Sequence, residues 1–496
     1  MFTYLSEFFW LAVLALVSLL ACGCAGAKQD PVVGYWEGTL AVPGGQQLRL
    51  GLHVAKLEGG GYSAKLDSLD QGAFGLGVDQ FTFESGKVTF EMKTLGAQFE
   101  GTMAEDQQSI VGKFRQSGLT MDLTLAKKEK PATSQRPQEP KPPYPYLVED
   151  VQFRNERADI LLAGTVTIPR GAGPFPGIVL VSGSGPQDRN EALLGHKPFL
   201  VLADHLTRRG IAVLRFDDRG VGKSEGNFAT ATSEDFVTDA IAAVEFLRTR
   251  SGVDPNLVGI AGHSEGGLVA PIAAVRSPNV AFIVLLAGTG VVGEEILYLQ
   301  AELISRAEGA TDQEIAEGRR AQERIFEIVK LDVTPAERER RLQALASELV
   351  TSLSERQRKA LGGNEEAYIQ SQIRMVSSPW FRYFLTYDPA PTLRKVRVPV
   401  LAINGELDLQ VPAKVNLGAI ERALEEGGNR NYEVHELKGL NHLFQTAKTG
   451  SPTEYATIQE TMSPTAMELI ADWVLRLRGT AKTSPQATFR QRPGGR

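Results

Sequence analysis

The sequence predicts an α/β fold: a mostly parallel sheet covered on both faces by helices, interrupted by a helical cap and preceded by a small antiparallel β domain. Three observations predict it. Beyond residue 146, short continuous apolar runs alternate with amphipathic helical patterns, as buried parallel strands and their crossover helices do. Between residues 31 and 126 the pattern changes to short alternating strands broken by Gly-rich turns. Residues from about 291 to 390 are helical and charge-rich with no strand signal, and an insertion of that length must fold on its own account.

In chain order, residues 8–21 are nearly all apolar and end at Cys22. The run is too short for a comfortable membrane span and fits a secretory h-region, so residues 1–23 are expected to be a signal peptide. Leu19-Leu20-Ala21-Cys22 resembles a bacterial lipoprotein cleavage box, with Cys22 as the residue to be lipidated. That implies an exported protein, periplasmic or in the cell envelope, attached to the membrane through its N-terminus. The departure from the pattern is Glu7, with no Lys or Arg ahead of the apolar run; the alternative is an uncleaved anchor. Cys22 and Cys24 are the only cysteines, so the folded part has no disulfide and no cysteine metal site.

The β domain is expected over residues 30–128 as a small barrel or sandwich, with strands at 34–40, 48–54, 81–83, 88–92 and 98–103. Two similar pieces, Phe99-Glu100-Gly101-Thr102 and Val111-Gly112-Lys113-Phe114, look like parts of successive hairpins. Residues 129–146 then carry prolines and charge without apolar periodicity, the composition of an exposed linker. The α/β domain occupies 147–478. Its antiparallel start is expected at 148–153 and 161–168, and buried strands at 178–181, 211–216, 257–261, 281–287 and 398–403. Helices are expected at 198–209, 234–250, 268–275 and 413–426, and the polar tail 479–496 is expected to be disordered. With 42% hydrophobic and 23% charged residues the chain is globular; its net charge of −6 and lack of any long basic run argue against nucleic acid as a partner.

The chemistry concentrates at Gly262-His263-Ser264-Glu265-Gly266, between a buried strand and a helix. A serine on so sharp a turn adopts a strained backbone, and flanking glycines relieve the clash. Ser264 is therefore the candidate nucleophile, and it needs a base to take its proton. Of six histidines, His53 lies in the other domain, His196 in a loop, His205 on a helix, His435 in a predicted strand, and His263 points off the turn the wrong way. His442 lies in the loop after the last strand, where the serine, acid, histidine order of the α/β-hydrolases, which this turn resembles, implies a base. The acid belongs at the end of the preceding strand, where Glu406 and Asp408 both stand. The tetrahedral intermediate needs backbone donors. One is the Glu265 amide; the other comes from Ser182-Gly183-Ser184-Gly185-Pro186-Gln187-Asp188-Arg189, with the Ser184 amide first and Gly185 second.

Together these pieces resemble the α/β-hydrolase serine esterases and peptidases over about residues 147–478. The matching segments are 182–189, 215–224, the nucleophile turn, 405–412 and Asn441-His442. Gly183 to Arg189 is similar to a branch of bacterial carboxylesterases related to the serine aminopeptidase and prolyl-oligopeptidase-like groups. The resemblance favours Asp408 over Glu406, implies a triad of Ser264, Asp408 and His442, and treats Asp217 to Ser224 as a structural turn. It also implies an acyl-enzyme mechanism on a small-molecule ester, with no metal or cofactor. A peptidase acting on short peptides is the alternative within enzymes, and a non-catalytic surface binding protein the alternative outside them. Apolar cap residues Ile296, Leu297, Leu299, Leu303, Ile325 and Phe326 either roof an acyl pocket or pack the cap.

Overall fold

The computed structural model describes residues 30–41, 47–57, 59–69, 73–92, 95–116, 119–129, 136–352 and 365–480. Residues 1–23, with Cys22, and residues 481–496 of the expected tail lie outside these.

Nine strands make the N-terminal sheet: β1 (Gly34–Ala41), β2 (Gln47–Lys56), β3 (Tyr62–Ser68), β4 (Ala73–Gly77), β5 (Gln80–Glu84), β6 (Lys87–Met92), β7 (Ala97–Met103), β8 (Ser109–Gln116) and β9 (Leu119–Lys128). Their order is β4-β3-β2-β1-β9-β8-β7-β6-β5 in a single sheet. It curls so that β3 packs beside β5, enclosing Trp36, Leu52, Phe90, Phe99 and Leu125. Burial alternates along β7, as one buried and one solvated face require. The two similar pieces are the facing arms of one hairpin, with Gly101 opposite Gly112. A Cβ on Gly101 would lie 2.6 Å from Phe99 Cζ, so the glycines make room for that ring against the sheet.

The segment from Arg136 onward lies on the α/β domain. Arg136 donates to the carbonyls of Leu194 at 2.9 Å and Ala456 at 3.0 Å, and Gln138 bonds both the Met462 carbonyl and the Thr461 amide.

The second sheet has eight strands: β10 (Leu147–Asn155), β11 (Ile160–Ile168), β12 (Phe175–Val181), β13 (Ala212–Phe216), β14 (Val253–His263), β15 (Ile283–Leu286), β16 (Val400–Gly405) and β17 (Tyr432–Leu437). Their order is β10-β11-β13-β12-β14-β15-β16-β17, antiparallel through β13 on the first side and parallel from there. One face carries α1 (Pro198–Arg208) and the C-terminal helix, the other α2 (Ser233–Arg248), α3 (Gly266–Arg276) and the helix Ala413–Glu426. The C-terminal helix, Pro464–Thr480, is not among the helices expected from the sequence; it buries Ile470, Trp473 and Val474 on the sheet.

Between β15 and β16 stand α4 (Gly293–Ala307), α5 (Asp312–Lys330), α6 (Pro335–Ser352), α7 (Glu365–Val376), α8 (Pro379–Thr386) and the short α9 (Ala390–Leu393). Thr311 and Glu314 cap the start of α5 reciprocally. Tyr298, Phe326, Val329, Leu342, Ile373, Phe381 and Leu385 give the cap its own core. Phe326 is thus buried in that core and packs the cap itself, whereas Ile296 is buried in the core of the sheet and packs the cap against the body.

Candidate active site

The nucleophile turn follows from crowding. β14 ends at His263 and α3 begins at Gly266, leaving Ser264 and Glu265 to turn the chain. Ser264 sits at φ +52°, a left-handed conformation that costs a residue with a Cβ about 1–2 kcal/mol. The turn is held by Ser264 N–H donating to the Leu286 carbonyl at 2.8 Å and Gly267 N–H donating to the Ser264 carbonyl at 2.9 Å. A Cβ on Gly262 would meet Gly266 O at 1.9 Å, and one on Gly266 would meet Val181 O at 2.3 Å. Only glycine fits at either place. Ser264 itself remains partly exposed among buried neighbours.

His442 follows β17 and Asp408 follows β16, so parallel register delivers both to the strand ends where Ser264 lies. His442 Nδ1 is 2.8 Å from Asp408 Oδ2. Asp408 Oδ1 accepts from the amides of Gln410 and Val411, each at 2.8 Å. The carboxylate is fully buried and supplied with donors on both oxygens. With hydrogen on Nδ1, the ring's Nε2 carries a lone pair. Glu406 is exposed and accepts instead from the Gly439 amide at 3.0 Å. The structure therefore brings Asp408, and not Glu406, to His442. Among the described residues Ser264 Oγ has no hydrogen-bond partner.

The loop after β12 supplies the candidate oxyanion donors. Gly183 N–H is taken by Glu191 Oε1 at 2.8 Å. The amides of Ser184, Gly185 and Glu265 donate to no acceptor among the described residues. The following segment scaffolds that loop: Asp218 accepts from Ser182 Oγ and Gln187 N–H, both at 2.9 Å, and Asp217 clamps Arg189 at 2.7 and 2.9 Å. Burial pushes the Asp218 carboxyl well above the ordinary range, against the pull of its donors.

The Glu265 side chain is buried beside the serine. Its Oε1 accepts from Ser233 Oγ at 2.6 Å and from Trp380 Nε1 of α8 at 2.7 Å, and the Ser184 hydroxyl also donates to this carboxyl. Burial raises its pKa, with the three donors pulling the other way. Through this one group the cap touches the nucleophile turn and the oxyanion loop.

Sequence reasoning missed three residues here. Trp380 carried no motif. Glu191 stands in a loop like any solvated acid, yet its side chain is 7% exposed. His263 does point away from the serine, but into a buried contact with Glu191 and the His442 carbonyl. Of the other histidines, His196 is buried, with burial and Arg136 holding its pKa down at about 4, and His435 lies half-exposed on β17 near Glu433.

A family model described as serine aminopeptidase, S33 matches residues 197–446, a stretch that contains Ser264, Asp408 and His442 and begins after the oxyanion loop. Esterase EstD of Thermotoga maritima is 27% identical over 317 residues, 64% of this chain and 66% of that protein, so the chain spans just under two thirds of that relative's length. Thiohydrolase aneE of Aspergillus aculeatus is 37% identical over 83 residues, 16% of this chain and 26% of that protein. Among solved structures, an esterase from Pyrococcus furiosus superposes with a TM-score of 0.40 at 14% identity, covering 68% of this chain and 91% of that one.

Proposed function

Since this chain belongs to the serine aminopeptidase S33 family of α/β hydrolases, we propose that it cleaves carboxylic esters through a covalent acyl-enzyme on Ser264. The single observation that carries the proposal is the buried Asp408–His442 pair, its outer oxygen saturated by two amides, beside a serine held in a left-handed turn.

In the proposed mechanism His442 Nε2 takes the proton of Ser264 Oγ as the oxygen attacks the acyl carbon. Asp408 holds the ring in the tautomer with hydrogen on Nδ1 and stabilises the imidazolium that forms. The Glu265 and Ser184 amides receive the oxyanion. His442 returns the proton to the departing alcohol. Water, deprotonated by the same nitrogen, then attacks the acyl carbon and Ser264 leaves with the proton restored.

Two observations support ester over peptide. The 27% identical relative is described as an esterase. The carboxyl beside the serine, Glu265, already receives Ser233, Trp380 and Ser184, and burial favours its neutral form. A buried carboxyl whose Oε1 is engaged and whose pKa is raised is a poor partner for the ammonium group of a peptide N-terminus. The family description favours the second reading, an aminopeptidase. The test is hydrolysis of p-nitrophenyl acyl esters of several lengths against aminoacyl p-nitroanilides, together with fluorophosphonate labelling. Labelling that disappears in Ser264→Ala and faster ester turnover are expected; anilide turnover exceeding ester turnover sinks the ester assignment. Export with a lipid on Cys22 belongs to the same proposal, and palmitate incorporation that survives Cys22→Ser removes that residue as the anchor.

A further inference from the structure

The nucleophile, the base loop and the oxyanion loop come from three separate parts of the chain, and one buried ion pair joins them. His263 is the last residue of β14, and its side chain is 8% exposed. Its Nδ1 lies 2.9 Å from Glu191 Oε1 and its Nε2 lies 3.0 Å from the carbonyl oxygen of His442. Both partners are acceptors. A neutral ring has one N–H and would set a lone pair against one of them; the imidazolium donates to both. Glu191 Oε1 accepts from Gly183 N–H as well, so it is the acceptor in this pair and the shared proton belongs on the ring. The charges facing this ring are Glu191 and, farther off, Asp408; the His442 ring lies with its centroid 4.8 Å away. Burial opposes the charge on His263, but Glu191 and the His442 carbonyl outweigh it and hold its pKa up.

Glu191 reaches the other way as well. The same Oε1 accepts from Gly183 N–H at 2.8 Å, at the root of the oxyanion loop. A Cβ on Gly183 would stand 3.2 Å from Ser264 Cβ, 3.4 Å from Glu191 Oε1 and 3.5 Å from His263 Nδ1, so the four groups cluster around one point. Glu191 holds this position at φ +51°, stabilised by its N–H donating to the Asp188 carbonyl at 2.9 Å. Non-glycine residues adopt that conformation at a cost of about 1–2 kcal/mol, and such strain persists where the surroundings impose it.

We propose that Glu191 and His263 form a charged brace whose imidazolium fixes the His442 loop and whose carboxylate fixes the oxyanion loop, both against the Ser264 turn. The proposal rests on the triad assigned above. The brace residues touch no substrate and act as positioning residues. Loss of the brace misplaces base and oxyanion donors together, which harms the transition state and leaves substrate binding nearly intact. A displacement of about 1 Å costs on the order of 10²-fold in rate.

The first measurement is the ¹⁵N spectrum of histidine-labelled wild-type protein at pH 8, with the His263 signals assigned by their loss in His263→Gln. Two protonated ring nitrogens on His263 are expected; a single N–H overturns the proposal. The second compares ester hydrolysis of Glu191→Gln, His263→Gln and the double variant. Glu191→Gln retains an acceptor for both donors and removes only the charge. Without that charge burial lowers the His263 pKa, so the ring loses its proton and kcat falls as pH rises in this variant where the wild type holds. His263→Gln should lose about 10²-fold in kcat with KM within a factor of a few, and the double variant should be no worse than His263→Gln alone. Wild-type kcat across pH in both single variants overturns the brace. If His263→Gln does not fold, the His263 signals are assigned by their shift in Glu191→Gln, and the wild-type spectrum and the Glu191→Gln profile still decide. Failure of wild-type labelling by fluorophosphonate would overturn the catalytic assignment instead, and the ¹⁵N spectrum reports on the ion pair independently of it.

Discussion

Replacing Asp408 by asparagine exchanges one carboxylate oxygen for an amide nitrogen, and the surrounding donors decide which oxygen is replaced. Oδ1 faces the Gln410 and Val411 amides, both donors at 2.8 Å. The asparagine amide group cannot face them, because donors would meet donors in a fully buried site. Its carbonyl oxygen therefore takes the Oδ1 position and its NH₂ takes the place of Oδ2, against His442 Nδ1. That nitrogen can now only accept, so the ring carries its hydrogen on Nε2, toward the serine, and has no lone pair for the Ser264 proton. The two amide hydrogen bonds survive, and the fold should be kept. The loss is in the chemical step. A wrong tautomer in a triad of this kind costs about 10⁴-fold in kcat, or about 5 kcal/mol of transition-state stabilisation. Steady-state hydrolysis of a p-nitrophenyl ester, with the thermal midpoint as control for folding, measures it. The loss should be smaller than that in Ser264→Ala or His442→Ala. A folded Asp408→Asn enzyme within tenfold of wild type, with Glu406→Gln inactive, would refute the tautomer argument and move the acid to Glu406.

Gly262→Ala brings a methyl group to within 1.9 Å of the Gly266 carbonyl oxygen, a contact between two backbones that no side-chain rotation relieves; a loss of about 3 kcal/mol or more, read by chemical unfolding, is expected. Arg136→Ala leaves carbonyls of Leu194 and Ala456 without their donor and should cost about 1–3 kcal/mol, with faster hydrogen exchange across residues 454–462; unchanged exchange there would mean the strap bears no load. For Glu265 the sign follows from linkage. Its pKa is raised above 4.5 by burial, so between that value and the raised one the folded state keeps a proton that the unfolded chain has released, and stability falls as pH rises. Glu265→Gln removes this dependence. The variant should gain on wild type in thermal midpoint as pH rises from 4.5, and a gap that does not change with pH contradicts a raised carboxyl.

How much was legible in the sequence depended on whether the signal was local. The turn 262–266 is a local steric problem: Gly262 and Gly266 are there because their Cβ positions are occupied, and that requirement is written in consecutive residues. The buried runs that become β12, β13, β14, β15 and β16 are legible for a similar reason, since a strand covered on both faces needs apolar residues throughout. Asp408 against Glu406 was not decided by spacing, because both lie at the end of β16; the discriminating facts are the Gln410 and Val411 amides that hold one and the Gly439 amide that holds the other. Glu191, His263 and Trp380 were less legible still. Glu191 meets His263 across 72 positions, and Trp380 meets Glu265 across 115. No periodicity connects such partners. A histidine next to a nucleophile is easily set aside because it points away from the serine, yet pointing away is what lets it reach the loop that carries the base. The residues proposed to do the chemistry stand at strand ends and announce themselves, whereas the residues that hold those ends together are spread over the chain and emerge only when burial is counted against hydrogen-bond partners.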